Sequence, residues 1–467
     1  MKPPATFPHS AAAGSAPDRT VGSSTHTASG SAQHPALVPS GRWLLFALTT
    51  TLFFLWGIPN NMNDVLIRQF MKSFVLTRLD AGLVQFAFYL GYFVLAIPAA
   101  LLMRRFGYKS GFLVGLALFS LGCFLFWPAA LVNRFSLFLT ALFIIAAGLS
   151  FLETAANPFI AQLGSPETAA RRLNLAQAFN PLGAISGVLV GTVFIFSGIE
   201  LTPAQTALLR ARHAYTAYLH METLRVVRPY LVLSVVTFLM LLLFAVTRFP
   251  AVALESRQDL PLQPTGWNSP ASLLRAPHFL LAVAAQFAYV GAQVGTWSYF
   301  IPYLIEYAHL PEKSAGYLLT GALVAFGLGR FVSAWLMRFV QPMHLMTLYA
   351  GINLLLAALG VLTPGWTGAI ALLVSSFFMS LMYPTIFVRG LRGLGPLTKL
   401  AGSAIVMAIV GGAVLTLLMG LVAQFTTALA PAYLVPCLAY LFLFIYCLLD
   451  QRLHIPESGS PGIAPTH

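Results

Sequence analysis

Two acidic residues of this chain fall inside long apolar stretches of sequence. Asp64 lies near the end of the first stretch, and Glu153 lies deep in the fourth, which contains no basic residue that could pair with it. Desolvation disfavours the carboxylate anion, so a carboxyl group held away from water tends to keep its proton. A group whose charge changes with its access to water is what coupling to proton movement requires. The alternative is a structural role, in which a basic partner or backbone donors neutralise each acid.

Amide side chains recur in the apolar stretches, several of them at helical spacing. They are Asn60 and Asn61 in the first stretch, Gln85 in the second, Gln177 and Asn180 in the fifth, and Gln286 and Gln293 in the seventh. Residues three, four or seven apart share one face of a helix, so Asn60 shares a face with Asp64, and Gln286 with Gln293. An amide inside a membrane span often only hydrogen-bonds to a neighbouring helix. The clustering on three stretches nevertheless favours a binding role.

Large aromatic residues accompany these amides, and four of them are candidates for a binding surface: Trp56, Tyr289, Trp297 and Tyr383. Sugars suit such a lining, because their hydroxyl groups need hydrogen-bond donors and acceptors while their C–H faces stack on rings. We therefore predict that the acids, amides and aromatic residues line a site for a small sugar. Arg330 is the only basic residue well inside a stretch, and we interpret it as a structural partner of a helix end or loop.

The composition places these residues in a membrane protein. Hydrophobic residues make up 58% of the 467 residues and charged residues only 8%, whereas soluble proteins carry about 25% charged residues. The apolar stretches are long enough to cross a hydrocarbon core of about 30 Å as helices, and they lack the alternation of barrel strands. The sequence predicts an all-α membrane protein with twelve spans, at 43–66, 79–103, 111–131, 136–162, 174–197, 229–248, 278–305, 314–338, 342–363, 367–390, 400–426 and 430–449.

The net charge of +13 does not indicate a nucleic-acid partner, because no basic tract is long enough to bind phosphates. The basic residues concentrate in short connections on one predicted side of the membrane, which places both termini in the cytoplasm. The three cysteines lie in apolar spans and fit neither a disulfide framework nor a metal site. No metal and no cofactor are expected.

A weak internal repeat indicates two halves. Leu102-Met103-Arg104 recurs as Leu336-Met337-Arg338, at an offset close to half the chain. We predict two six-helix bundles, a linker and two disordered cytoplasmic tails, with boundaries at 1–40, 41–248, 249–277, 278–450 and 451–467. Pro59 and Pro158 stand beside polar residues and predict local helix breaks, which membranes tolerate only next to protein or a water-filled cavity.

The sequence resembles the fucose–galactose–glucose–proton symporter family of the major facilitator superfamily from about residue 43 to 450. The resemblance is carried by Phe54-Leu55-Trp56 through Asn63-Asp64, by Leu152-Glu153-Thr154-Ala155-Ala156-Asn157-Pro158-Phe159, by the segment from Arg172 to Asn180, by Tyr289 to Gln293 with Trp297-Ser298-Tyr299, and by Tyr383-Pro384-Thr385-Ile386-Phe387. The last two segments favour the fucose branch of the family.

The resemblance implies a transporter with a major facilitator fold in two pseudo-symmetric bundles, and not an enzyme. It implies that Glu153 is the coupling carboxyl, that Asp64 is a second acid of the proton cycle, and that Gln177, Asn180 and Tyr383 contact or border the sugar. The expected activity is proton-coupled import of a monosaccharide, L-fucose first, by alternating access across a bacterial inner membrane. The expected partners are that sugar, protons and the lipid bilayer, and the chain should function as a monomer.

Three alternatives stay open on the sequence. The first is a glucose or galactose carrier of the same family, coupled to protons or to sodium. The second is a polytopic membrane transferase that uses the two acids in catalysis, although the connections are short and poor in motifs. The third is a membrane sensor that binds a sugar without moving it.

Overall fold

The computed structural model describes residues 37–164, 169–249, 270–337, 339–392, 394 and 397–452. The predicted tails fall almost entirely outside the described residues, and so does most of the predicted linker. Within the described ranges every regular element is a helix, and twelve spans are long and apolar enough to cross a membrane. The predicted fold class is therefore confirmed, and the chain is a multi-pass membrane protein.

The spans are numbered α1 to α12 along the chain. The first half contains α1 (Trp43–Ser73), α2 (Arg78–Met103), α3 (Tyr108–Val132), α4 (Phe135–Ile160), α5 (Leu175–Ile195) and α6 (Tyr215–Val246). The second half contains α7 (Pro277–Ser298), α8 (Glu312–Leu336), α9 (Pro342–Leu362), α10 (Trp366–Gly390), α11 (Ala401–Phe425) and α12 (Ala430–Gln451).

The connection between α5 and α6 contains more helix than hydropathy predicted. It holds a helix at Pro203–Ala211, and α6 begins at Tyr215 rather than at 229. The helix Phe300–Tyr307 follows α7 and lies largely within the predicted span 278–305. The helix Pro203–Ala211 begins with a capping box, in which Gln205 N donates to Thr202 Oγ1 at 3.2 Å and Thr202 N donates to Gln205 Oε1 at 2.9 Å. A search for apolar stretches does not detect a helix that begins with polar residues.

The turn between α1 and α2 is short and well capped. Thr77 is the N-cap of α2, where Asp80 N donates to Thr77 Oγ1 at 3.1 Å and Thr77 N donates to Asp80 Oδ2 at 3.3 Å. A capping box of this kind satisfies two backbone donors that the first helical turn leaves free. Because the turn is short, Lys72 at the end of α1 and Arg78 at the start of α2 lie at the same end of the molecule.

The predicted helix breaks at Pro59 and Pro158 are wrong, because both prolines lie inside continuous helices. A proline removes one helical hydrogen bond, and neighbouring amides add others here. Asn61 Nδ2 donates to Gly57 O at 3.2 Å, and Asn157 Nδ2 donates to Glu153 O at 3.1 Å.

Several other spans are interrupted, and four of the interruptions are close to the space between the halves. They occur at Ala178 in α5, at Tyr299 after α7, at Ser380–Leu381 in α10 and at Ala408–Val410 in α11. Each of these points lies within two residues of one that lines the cavity between the halves. The irregular backbone is thus next to a cavity, as the membrane environment requires.

The two halves repeat one packing scheme. The pairs α1–α5, α2–α4 and α3–α4 of the first half correspond to α7–α11, α8–α10 and α9–α10 of the second. Glycine permits the equivalent close approach in each half: a Cβ on Gly183 of α5 would collide with the carbonyl of Phe54 in α1, and a Cβ on Gly411 of α11 with the carbonyl of Phe287 in α7. The halves meet each other through α2–α11 and α5–α8.

Candidate functional site

A polar cavity of about 220 Å³ lies between the two halves. Its walls come from α1, α2, α4 and α5 on one side and from α7, α8, α10 and α11 on the other. The cavity brings together nearly all of the predicted site residues, namely Trp56, Asn60, Asn61, Asp64, Glu153, Gln177, Asn180, Tyr289, Gln293, Trp297 and Tyr383.

Gln286 does not line this cavity, so the structure does not support its prediction as a binding residue. Its side chain is fully buried, and neither of its polar atoms has a hydrogen-bond partner in the described part of the chain. Gln286 shares a helix face with Gln293, as the spacing predicts, but seven residues correspond to about 10 Å along the helix axis. A shared face therefore does not place both side chains at the depth of the cavity.

Asp64 lies at the junction of the two halves. Its Oδ1 atom accepts hydrogen bonds from Gln85 Nε2 of α2 and from Ser298 Oγ of α7, both at 2.9 Å. Gln85 Nε2 also donates to Ser298 Oγ at 2.9 Å. Because Ser298 belongs to the second half, the Asp64 carboxyl group is part of a contact that holds the halves together.

Glu153 is arranged differently, although it is also an acid on the cavity wall. Its carboxyl group makes no hydrogen bond and no ion pair with any side chain that the structure describes, and it is open to the cavity. Tyr383 of the opposite half lies within electrostatic range of it. Glu153 is therefore free to interact with a bound molecule or to exchange a proton through the cavity.

The amides of the first half donate to the protein itself. Asn61 Nδ2 donates to Gly57 O, Asn180 Nδ2 donates to Phe53 O at 3.3 Å, and Gln177 Nε2 donates to Asn157 Oδ1 at 3.0 Å. These bonds orient the amides so that their oxygen atoms are left without a donor among the described residues. Each amide therefore keeps an oxygen and one remaining N–H with no partner among the described residues.

The aromatic residues of the second half are held by their polar atoms. Trp297 Nε1 donates to Ser376 Oγ at 3.0 Å, and Tyr289 OH donates to Met379 O at 2.9 Å. The Tyr383 ring stacks on Phe387 with centroids 6.4 Å apart. With its polar group satisfied, Trp297 can offer ring surface to a ligand, whereas the Tyr289 side chain is fully buried beside the cavity.

Arg330 lies on the cavity wall, which differs from its interpretation as a partner of a helix end or loop. Its guanidinium group is 5.3 Å from the centre of the Phe326 ring. No acid within the described ranges forms an ion pair with it, and its Nε atom is buried without an acceptor. The i, i+4 spacing of Phe326 and Arg330 was the available signal, because it puts an aromatic ring under the cation inside a span.

The lining residues that were not predicted as site residues include three with polar side chains on the first half: Tyr89, Tyr92 and Asn157. Gln85, Tyr89 and Tyr92 follow one another at i, i+4 and i+7 on α2, which places them on one helix face. The sequence therefore carried a signal here like that on α7, where Gln286, Gln293 and Trp297 share one helix face. Tyr92 OH donates to Asn60 Oδ1 at 3.5 Å, which connects α2 to α1 at the cavity.

At one end of the cavity five charged residues form a cluster that we name the clamp: Lys72, Arg78, Glu222, Glu306 and Glu312. Lys72 Nζ lies 3.1 Å from Glu312 Oε1 and 3.3 Å from Glu222 Oε2, and Arg78 pairs with Glu306 at 2.5 Å. Lys72 and Arg78 belong to the first half, whereas Glu306 and Glu312 belong to the second. Hydrogen bonds and ion pairs join the halves at the Asp64–Ser298 contact and at clamp residues Lys72, Arg78 and Glu312. The halves are therefore joined at the clamp end.

Comparison with known proteins identifies relatives along most of the chain. The family model of the Major Facilitator Superfamily matches residues 44–396. The L-fucose-proton symporter of Escherichia coli is 43% identical over 404 residues, which cover 86% of this chain and 92% of that protein. The glucose/galactose transporter of Brucella abortus is 35% identical over 415 residues, covering 87% of this chain and 94% of that protein.

Solved structures of transporters also match this chain. The crystal structure of the Major Facilitator Superfamily transporter FucP in the outward conformation matches with a TM-score of 0.65 and 41% identity, and the match covers 87% of this chain and 98% of that one. The D-xylose-proton symporter has a TM-score of 0.66 at 12% identity, covering 89% of this chain and 98% of that one, and so shares the fold. These relatives are transporters, which confirms the prediction of a carrier rather than an enzyme. The chain belongs to the Major Facilitator Superfamily.

Proposed function

We propose that this protein imports a monosaccharide together with protons, and that L-fucose is its principal substrate. The observation that carries the proposal is the unpaired carboxyl group of Glu153, which faces a cavity lined by amides and aromatic rings. The identity of 43% with the L-fucose-proton symporter of Escherichia coli supports both the sugar and the coupling ion.

In the proposed cycle, Glu153 takes up a proton from the outside and becomes neutral as the sugar binds. The neutral carboxyl group can donate to a sugar oxygen, and it no longer opposes the enclosure of the cavity by apolar protein. The halves then rock, and the lower proton activity inside removes the proton and releases the sugar. Asp64 acts in the same cycle through its contact with Ser298 between the halves.

The substrate contacts are proposed for the residues that line the cavity. The sugar hydroxyl groups would meet polar side chains of both halves, and the sugar C–H face would stack on rings of the second half. The proposed binding residues are Trp56, Asn60, Asn61, Gln177, Asn180, Tyr289, Gln293, Trp297 and Tyr383. Gln286 is left out because it lies beyond the cavity.

For the topology, we infer that both termini face the cytoplasm of a bacterial inner membrane, from the basic residues in the short connections on that side. The clamp would then face the exterior, and the structure would correspond to an inward-facing stage of the cycle. The proposed bundles extend over 41–248 and 278–450, with 249–277 as the linker, and the protein is proposed to function as a monomer.

The test is uptake of labelled L-fucose into proteoliposomes under an imposed inward proton gradient. We expect accumulation by the wild-type protein, loss of accumulation in Glu153→Gln, and continued exchange of labelled for unlabelled sugar by that variant. Accumulation by the variant equal to that of the wild type would remove Glu153 from the coupling step.

Glucose or galactose is the second candidate substrate, because the Brucella abortus glucose/galactose transporter is 35% identical over a similar span. Competition of unlabelled D-glucose and D-galactose against L-fucose uptake distinguishes the two. Uptake of those sugars without L-fucose uptake, or a requirement for sodium, would replace the proposed substrate or ion while keeping the cavity.

A further inference from the structure

The cavity offers hydrogen-bonding groups from both halves. On the first half, Asn61, Asn180 and Gln177 each donate one hydrogen bond to a protein acceptor, so each amide keeps a free oxygen and one remaining N–H. The Glu153 carboxyl group adds two further oxygens, to which no described side chain donates a hydrogen bond. A sugar hydroxyl group on this side can donate its hydrogen to the Glu153 carboxyl group or to an amide oxygen.

The second half contributes a cation to the cavity. Two of its aromatic residues there, Trp297 and Tyr289, already use their donors inside the protein. The Arg330 guanidinium group and the Gln293 amide make no hydrogen bond to any described residue. A guanidinium group carries five N–H donors and no acceptor, so Arg330 can only donate to a ligand.

The placement of Arg330 is suited to a ligand rather than to packing. It stands over the Phe326 ring at 5.3 Å, a cation–π distance that orients the planar group. Its Nε atom is buried with no acceptor among the described residues. Burying a cation without a partner is unfavourable, and oxygen atoms of a bound molecule in the cavity would supply the missing acceptors.

Resting on the proposed function, we propose that Arg330 is a specificity-determining residue that donates hydrogen bonds to two adjacent oxygen atoms of the sugar. Its planar fork matches a pair of neighbouring oxygens, whereas a lysine ammonium group would act as a point charge. The hydrogens of the same hydroxyl groups point to the acceptors of the first half. The cavity thereby selects a sugar whose adjacent hydroxyl groups span from one half to the other.

The experiment measures binding of L-fucose and of its analogues that each lack one hydroxyl group, by titration calorimetry of the purified full-length protein. The variants are Arg330→Gln and Arg330→Lys, and Arg210→Gln is the matched control because Arg210 is exposed and remote from the cavity. We expect wild-type protein to lose about ten- to hundred-fold in affinity for the analogues lacking a contacted hydroxyl. Arg330→Gln should bind L-fucose more weakly by a similar factor and lose the discrimination against those same analogues.

The pattern of affinities across the analogues shows whether Arg330 contacts the sugar. If Arg330 had only a structural role, its substitution would weaken binding of all analogues equally. Arg330→Lys keeps the charge and should recover only part of the affinity. If Arg330→Gln does not fold, the same affinities are measured with Arg330→Lys. An Arg330 variant that discriminates among the analogues as the wild type does would overturn the inference while leaving sugar transport intact. Failure of the wild type to bind any monosaccharide would overturn the proposed function itself.

Discussion

The cavity and the clamp contain the same kinds of charged side chains in opposite arrangements. In the clamp each charged group faces an opposite charge, and the Glu312 side chain is fully buried against Lys72. In the cavity, Asp64, Glu153 and Arg330 form no ion pair among the described residues. Paired charges hold one conformation because separating them exposes each to an unfavourable environment. Charges without a fixed partner are left free to respond to a proton or a ligand.

Further hydrogen bonds hold the clamp in addition to its ion pairs. Lys72 Nζ donates to Ser197 Oγ at 3.0 Å and to Ile199 O at 2.7 Å. Glu312 Oε1 accepts from Gly198 N at 3.2 Å, and Gln69 Nε2 donates to Glu222 Oε2 at 3.1 Å. The clamp thus includes backbone groups of the connection after α5. Of these contacts, the one between Gly198 and Glu312 joins the halves, and an alternating carrier must break it each time the clamp end opens.

The largest effect on the cavity side is expected from Glu153→Gln. The amide keeps the shape of the side chain but cannot exchange a proton, so its sugar affinity should not depend on pH. In the wild type the affinity should fall as pH rises, because rising pH removes the proton that accompanies sugar binding. Binding titrations over a range of pH values measure this, with Glu153→Asp as the control that retains a carboxyl group. A Glu153→Gln variant with the wild-type pH profile would transfer the coupling role to another group, Asp64 first.

The largest effect on the clamp side is expected from Lys72→Met, which leaves the Glu222 and Glu312 carboxylates without their cation. Their side chains are 4% and 0% exposed, and removing one partner of a buried ion pair costs about 3–5 kcal/mol. The population of clamp-open molecules should rise, measured as a longer distance between spin labels at the exposed positions Arg212 and His309.

Lys109→Met is the matched control for Lys72→Met, since Lys109 donates only to the carbonyls of Ala245 and Thr247 within the first half. It should leave the label distance unchanged. An unchanged distance in Lys72→Met would mean that the clamp does not determine which conformation is populated.

Ser298→Ala tests the contact between Asp64, on the cavity wall, and the second half. The substitution removes one of the two hydrogen bonds to Asp64 and should weaken the closed clamp end by about 1–3 kcal/mol. Proton-coupled accumulation should persist, since no proton-carrying group is lost. The same label distance and the uptake assay measure both outcomes. Ser375→Ala is the control, because the Ser375 hydroxyl donates only to Leu372 O in its own helix.

The smallest effect is expected from Arg78→Gln, although Arg78 also pairs across the halves. The Arg78 and Glu306 side chains are 24% and 26% exposed, and ion pairs in contact with water contribute about 1 kcal/mol or less. The label distance should change less than in Lys72→Met, and the change should diminish in high salt. An effect larger than that of Lys72→Met would reverse the order of the two ion pairs.

The sequence by itself determined the class of the protein, its twelve spans and most of the cavity wall. Hydropathy identifies a span because every residue in it must tolerate the hydrocarbon core. The two acids inside spans, Asp64 and Glu153, stood out for the same reason. Helical spacing correctly placed Asn60 with Asp64 on one face, and Gln293 with Trp297 on another. These are local properties, which the order of residues specifies directly.

Only the tertiary structure decided which side chains meet. Spacing on one helix could not give the depth of Gln286, which lies too far along α7, nor could it show that Arg330 faces the cavity. The contact of Asp64 with Ser298 joins residues 234 positions apart, and Lys72 is 240 positions from Glu312. Such pairs depend on how two bundles of helices are packed against each other, and on which backbone groups the cavity leaves free. Neither is encoded in the periodicity of a single span.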